Sequence, residues 1–222
     1  MATSQNGWPV VGSDSIVDKK VLGVEFPNGW LKGDVDTVFT YLIEQLHKRV
    51  EPIDNGGCWG YFVKHIEGSS SYSNHASGTA IDYNAPAHPM GKRNTYSVQD
   101  RNTIHDILKY LENVIRWGGD YTGRPDDMHF EVIGSRNDVK RIANKIRSQR
   151  KLVFMEFLVG LPILKEGDKD DDFDGYDRIK RIQRIAKVED DGVWGPKTSQ
   201  ALGYRIMNED RWRALYGLSV VN

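Results

Sequence analysis

The stretch Ser73-Asn74-His75-Ala76-Ser77-Gly78-Thr79-Ala80-Ile81-Asp82 puts a histidine and a carboxylate at either end of a small-residue turn. Ala76, Ser77 and Gly78 allow the backbone to turn tightly, and Thr79 to Tyr83 then reads as a short strand. Side chains alternate along a strand, so Ala80 and Asp82 share one face while Ile81 and Tyr83 share the other. The carboxylate therefore lies on the less apolar face, within reach of a histidine at the strand's entrance. Further along, Met128 to Ile133 alternates as a second strand, with Met128, Phe130 and Val132 on one side and His129 and Glu131 on the other. Two imidazoles and one carboxylate form a familiar catalytic zinc set that leaves a fourth position for water.

Asp126 and Asp127 stand three and two residues before His129 in a polar loop. A zinc hydrolase needs a carboxylate that does not ligate the metal but accepts a proton from its water. Asp126 is placed to supply it, with Asp127 as the rival. By spacing alone the pattern is moderately specific, and ordinary surface histidines and aspartates are the open alternative. The His-Glu-x-x-His zinc helix is absent. Of the other histidines, His47 and His105 fall on helices among charged residues, while His65 and His88 suit structural roles.

Around these two strands the periodicity predicts helices. Asp34 to Val50 carries Val35, Val38, Phe39, Leu42, Leu46 and Val50 at helical spacing and stops before Pro52. Ser97 to Arg116 is a second helix, capped by Ser97 with Asp100 three residues on. Asn137 to Arg150 closes the region, with Val139, Ile142 and Ile146 as its apolar stripe. Trp59 to Ile66 is rich in aromatic and β-branched residues and reads as a further strand. The fold class is α+β: a small antiparallel sheet with flanking helices that holds the zinc site, followed by a small all-α module of three helices.

The 222 residues carry 30 Lys plus Arg and 31 Asp plus Glu, a net charge of −1. Up to Arg150 there are 18 basic and 18 acidic residues, and beyond it 12 and 13. Neither part has the positive excess that phosphate binding draws on, so nucleic acid and an anionic membrane surface are not expected partners. A single cysteine, Cys58, excludes an internal disulfide and a multi-thiolate metal site. No basic and apolar leader is read at the N-terminus. The most apolar stretch, Leu152 to Leu164, is interrupted by Glu156 and Pro162 and falls short of the ~20 residues that span a bilayer.

The segment Ser73 to Asp82 resembles the S-x-H-x-x-G-x-A-x-D signature of the zinc D-Ala-D-Ala carboxypeptidase and L-alanyl-D-glutamate endopeptidase family. Trp117-Gly118-Gly119-Asp120 and Asp126-Asp127-Met128-His129-Phe130-Glu131 resemble its W-G-G and (D/E)-x-x-H elements, in the same order. Asn6-Gly7-Trp8-Pro9 and Trp59-Gly60-Tyr61 are similar to the subgroup found in endolysins of phages infecting actinobacteria. The resemblance covers roughly residues 5–150. It implies zinc held by His75, Asp82 and His129, Asp126 as general base, and the stem peptide of peptidoglycan as substrate. The arginine with which the family binds substrate and steadies the oxyanion has Lys64 in its place, which keeps the charge but loses the bidentate fork. Ser73 and Trp117 are further expected substrate contacts, and Asn84 an expected support of the site.

Beyond a joint at 151–160, which reads as a linker or as the last core element of the 1–150 domain, residues 161–222 resemble a peptidoglycan-binding domain. The resemblance rests on Asp191-Gly192-Val193-Trp194-Gly195-Pro196-Lys197-Thr198, preceded by Ile182-Gln183, and makes Trp194 a candidate wall contact. Asp170 to Gly175 copies half a calcium loop, but Arg181 stands where the loop's bidentate glutamate belongs, so calcium is not expected. The implied function is that of a phage endolysin: a monomeric peptidoglycan hydrolase held in the host cytoplasm until its release onto the cell wall. L-Ala-D-Glu endopeptidase action leads. A D-Ala-D-Ala carboxypeptidase is the alternative within enzymes, and a non-catalytic zinc-containing wall binder is the alternative outside them.

Overall fold

The computed structural model describes residues 2–159. Two small antiparallel sheets and three helices make it an α+β fold. The N-terminal hairpin pairs β1 (Ile16–Val21) with β2 (Val24–Leu31), and α1 (Asp34–Arg49) follows directly. The second sheet has the order β3 (Ala80–Asp82), β5 (His129–Val132), β4 (Ile115–Trp117). Between β3 and β4 lies α2 (Val98–Tyr110), and α3 (Arg136–Val159) follows β5.

Helix α1 forms where its composition favours it. Asp34 and Asp36 sit in the first turn and His47, Lys48 and Arg49 in the last, so charge complements the helix dipole at both ends. Its buried face, from Val35 through Leu46, packs in one core with the hairpin. Phe26 and Trp30 of β2 meet edge to face at 5.1 Å, and Trp30 meets Phe39 of α1 at 5.9 Å. All three rings are fully buried. The indole N–H of Trp30 donates to Asp36 Oδ1 at 3.0 Å, so its polar edge is satisfied as well.

Three sequence expectations change. Helix α2 ends at Tyr110 instead of Arg116, because Glu112 and Asn113 take left-handed backbone angles and turn the chain into β4. Leu111 and Ile115 continue the helical spacing only by coincidence, since Ile115 belongs to the sheet. Trp59 to Ile66 is not a strand; it makes single bridges at Trp59 with Asp82 and at His65 with Tyr72. Its amide groups are divided among several partners, with Gly60 N–H donating to the Pro27 carbonyl and Tyr61 N–H to that of Gly29. Helix α3 runs past Arg150 to Val159, so residues 151–159 continue it. The expected module at 161–222, Trp194 within it and the acidic turn at Asp170 to Gly175 lie outside the described residues.

The hairpin carried no strand expectation. Its turn, Leu22-Gly23, has positive φ at both residues, the conformation that matches strand twist. The pairing is interrupted between Val17 and Lys19, opposite the Pro27-Asn28-Gly29 segment, which breaks the alternation a strand normally shows. Among the described residues no helix is long and apolar enough to cross a membrane.

Gly78 joins the hairpin to the second sheet. It ends a 3-10 turn over Asn74–Ser77 at φ 66°, and its carbonyl accepts from Leu31 N–H at 2.9 Å. A Cβ there would lie 2.7 Å from both the Leu31 nitrogen and Ile16 Cδ1. Gly78→Ala is expected to cost about 1–3 kcal/mol from strained backbone alone. Trp30→Ala is expected to cost about 3–5 kcal/mol from the cavity left behind. Urea unfolding of each variant checks both, and a change below about 0.5 kcal/mol would contradict the packing described.

Candidate metal centre

The register of β3 against β5 sets Asp82 directly opposite His129 and Ala80 opposite Glu131. His75 reaches the same place from the 3-10 turn that precedes β3. That turn starts at Ser73, whose hydroxyl accepts from His75 N–H at 3.4 Å. His75 and His129 are both buried, with ring centroids 5.0 Å apart. One ligand atom from each of His75, Asp82 and His129 falls within 4.8 Å of the others, so the three form a group able to hold a metal ion.

Hydrogen bonds decide which nitrogens face inward. His75 Nδ1 lies 2.6 Å from the Gly60 carbonyl, which can only accept, so Nδ1 carries the proton. His75 Nε2 then points to Asp82 Oδ1 at 3.5 Å. His129 is turned the other way: its Nδ1 lies 2.9 Å from Asp82 Oδ1 and its Nε2 3.4 Å from Glu131 Oε2. Burial opposes the charge on Asp82, yet hydrogen bonds from His129 and His75 hold its carboxyl well below the usual range. Burial likewise opposes protonation of His129, but its bonds to Asp82 and Glu131 push it up to about 10. A converging set of two imidazole nitrogens and a carboxylate, held at the cost of desolvation, fits a divalent metal that accepts nitrogen and oxygen donors.

The Asp126 loop supplies a second sign of fit. Among the described residues, Asp126 Oδ1 is buried and has no hydrogen-bond partner. Burial raises the Asp126 pKa above the ordinary aspartate value, against the lowering influence of the His129 charge. Asp126 lines the same cleft of about 450 Å³ as the three ligand residues, together with Lys64, Ser73 and Tyr121. Asp127 is differently engaged: its Oδ2 accepts from Thr95 N–H at 2.9 Å and from the Thr95 hydroxyl at 2.6 Å. The two neighbouring aspartates, which the sequence separates only by their spacing to His129, thus have different surroundings.

Trp117, expected to touch substrate, is only 1% exposed. Its indole N–H donates to the Asp127 carbonyl at 2.6 Å, so it braces the loop from behind instead of facing the cleft. Next to it, Gly118 accepts from Asp126 N–H at 3.1 Å. A Cβ on Gly118 would lie 2.4 Å from the Asp126 carbonyl oxygen, so the Trp117-Gly118 pair sets where Asp126 sits. Lys64 is an exposed residue on the cleft's rim. Asn84 does not line the cleft; its side chain accepts from Asp54 N–H and donates to Glu51 and the Pro52 carbonyl.

Sequence reasoning missed the group behind His129. Glu131, 2% exposed, accepts on Oε1 from Arg116 Nε at 2.8 Å and from the Tyr121 hydroxyl at 2.6 Å, with Arg116 Nη2 as a further donor. Its Oε2 accepts from Asn74 Nδ2. Strand alternation had placed Glu131 on His129's face, so half of the signal was legible. The other half was hidden because Arg116 reads as the end of a helix, whereas it lies opposite Glu131 in the sheet.

Single replacements of the ligand residues test the grouping. Asp82→Ala or His129→Ala is expected to abolish one-to-one Co²⁺ binding, followed by visible absorption, while Asp126→Asn keeps it. Wild-type binding strengthens as pH rises, since His129, held protonated by Asp82 and Glu131, must shed a proton to bind. Undiminished binding in Asp82→Ala would remove that residue from the site.

Residues 67–132 match the model of a protein family described as D-alanyl-D-alanine carboxypeptidase. No curated protein and no solved structure matches the chain. The matched span contains His75, Asp82 and His129, the Trp117-Gly118 pair and Asp126, and ends with β5.

Proposed function

We propose that the chain is a zinc peptidase that hydrolyses a peptide bond in the stem peptide of peptidoglycan. The observation that carries this reading is the orphaned, buried Asp126 Oδ1 in the same cleft as the His75, Asp82 and His129 cluster. A metal site without a nearby free base would suit a structural role; this one has a carboxylate with acceptor capacity to spare.

His75 through Nε2, Asp82, and His129 through Nδ1 would hold the metal. Zinc bound there supplies a water whose pKa is lowered to ~7 and polarises the scissile carbonyl. Asp126 takes the proton of the attacking water and returns it to the departing amine. Burial, by raising its pKa, makes it a better match for that exchange than an exposed aspartate. Lys64 on the rim offers a positive charge to the substrate's carbonyl oxygen or carboxylate, and the Ser73 hydroxyl is a candidate substrate contact. Trp117 and Gly118 act on the reaction only by placing Asp126.

Two bonds are candidates. The resemblance of Asn6 to Pro9 and of Trp59 to Tyr61 to phage endolysins supports cleavage between L-Ala and D-Glu, with release onto the wall by lysis. The description of the matched family supports removal of the terminal D-Ala instead. On either reading the proposed wall-binding segment at 161–222, with Trp194, serves to raise the effective concentration on an insoluble polymer.

Digestion of purified actinobacterial peptidoglycan, with mass spectrometry of the soluble products, tests the proposal. Endopeptidase action liberates fragments with a new D-Glu amine, and carboxypeptidase action liberates free D-Ala. Either is expected to stop when zinc is chelated and to resume on its return. Asp126→Asn is expected to lower turnover about 10²–10⁴-fold with metal retained. Asp127→Asn is expected to act mainly on stability. A zinc-loaded chain that releases neither product supports the non-catalytic wall binder and overturns the peptidase.

A further inference from the structure

We infer that Glu131 is a positioning residue of the metal centre: it fixes His129 for ligation by accepting the proton on Nε2. The inference rests on the proposed zinc site but concerns a group outside the ligand set. Among the described residues, every other hydrogen-bond partner of the Glu131 carboxylate is a donor. Arg116 and Tyr121 occupy Oε1, and Asn74 shares Oε2 with His129. A carboxylate so surrounded can only accept from the imidazole, which leaves the proton on Nε2 and the lone pair on Nδ1, facing Asp82.

The support is itself held in place. Asn74 must present its NH₂ to Glu131, and its amide is fixed that way round because its Oδ1 accepts from Asn6 N–H at 2.9 Å. Asn6 is anchored by its own side chain, which donates to the Thr79 hydroxyl at 2.8 Å and to the Val132 carbonyl at 2.9 Å. Arg116 balances the buried charge and packs its guanidinium over the Tyr121 ring at 5.0 Å. The N-terminal segment, β4 and the turn before β3 thus converge on one carboxylate whose remaining contact is a ligand histidine. Outer partners of this kind commonly change metal affinity about 10–100-fold when removed.

Glu131→Gln is the informative variant. The amide retains one acceptor oxygen for Arg116 and Tyr121 but turns an NH₂ towards His129. The histidine then accepts on Nε2 and carries its proton on Nδ1, the nitrogen meant for the metal. Zinc affinity of the full-length chain, measured by competition with a chromophoric chelator, is expected to fall about 10–100-fold. Val139→Ala, which opens the core beneath α3 and touches neither the cleft nor the Glu131 carboxylate, is expected to stay near the wild-type value. Equal affinity in Glu131→Gln and wild type overturns the inference. So does an equal loss in both variants, which would make Glu131 a brace of the fold alone.

Should Glu131→Gln fail to fold, nitrogen-15 spectra of the zinc-loaded wild-type chain decide the matter. A slowly exchanging proton on His129 Nε2 is expected, and a bare or rapidly exchanging Nε2 overturns the assignment. A wild-type chain that takes up no zinc at all fails the proposed function first, and this inference with it.

Discussion

Pairing of β3 with β5 in a single register is the constraint on which the rest of the site depends. Asp82 faces His129 across that pair, and Ala80 faces Glu131. Because side chains alternate, a slip of one residue would send Asp82 to the core face and Ile81 into the cleft. The register is protected on both sides. Ile81 and Phe130 are paired and fully buried, and Trp117 packs beyond Phe130 from the neighbouring strand. The core thus specifies the His/Asp cluster indirectly: the apolar face cannot move without dragging the polar face with it.

The third member of the cluster arrives by a different route. His75 is not in the sheet, and its imidazole is aimed by the Gly60 carbonyl. Gly60 is in turn fixed by its N–H bond to Pro27 in the hairpin, while Leu31 at the hairpin's end bonds to Gly78 just after the His75 turn. The hairpin contributes none of the three residues of the cluster, yet it holds both the residue that orients His75 and the turn that carries it. Burial of Phe26 and Trp30 against α1 is therefore coupled to ligand geometry through two short steps.

Much of the site was legible because its signals are local. His75 and Asp82 flank one small-residue turn, and His129 and Glu131 share a strand face by simple alternation. What stayed hidden depends on long-range pairing. Asp126 and Asp127 differ only in their partners, Thr95 for one and an open cleft for the other, and no spacing rule reveals that. Arg116 was obscured because Leu111 and Ile115 extend the helical pattern across a turn formed by Glu112 and Asn113. The hairpin was obscured because Pro27 to Gly29 interrupt its pairing. Trp117 drew attention as part of a motif, but the motif's physical content is closeness: an indole and a glycine that fix the Asp126 loop.

Zinc held by these three side chains is the proposal on which the enzymatic reading stands. Diffraction from crystals of the full-length chain grown with zinc, recorded on both sides of the zinc absorption edge, tests it most directly. An anomalous peak is expected about 2.0–2.2 Å from His75 Nε2, an Asp82 oxygen and His129 Nδ1. A zinc-containing crystal with no peak there, or with its peak on other residues, would contradict it.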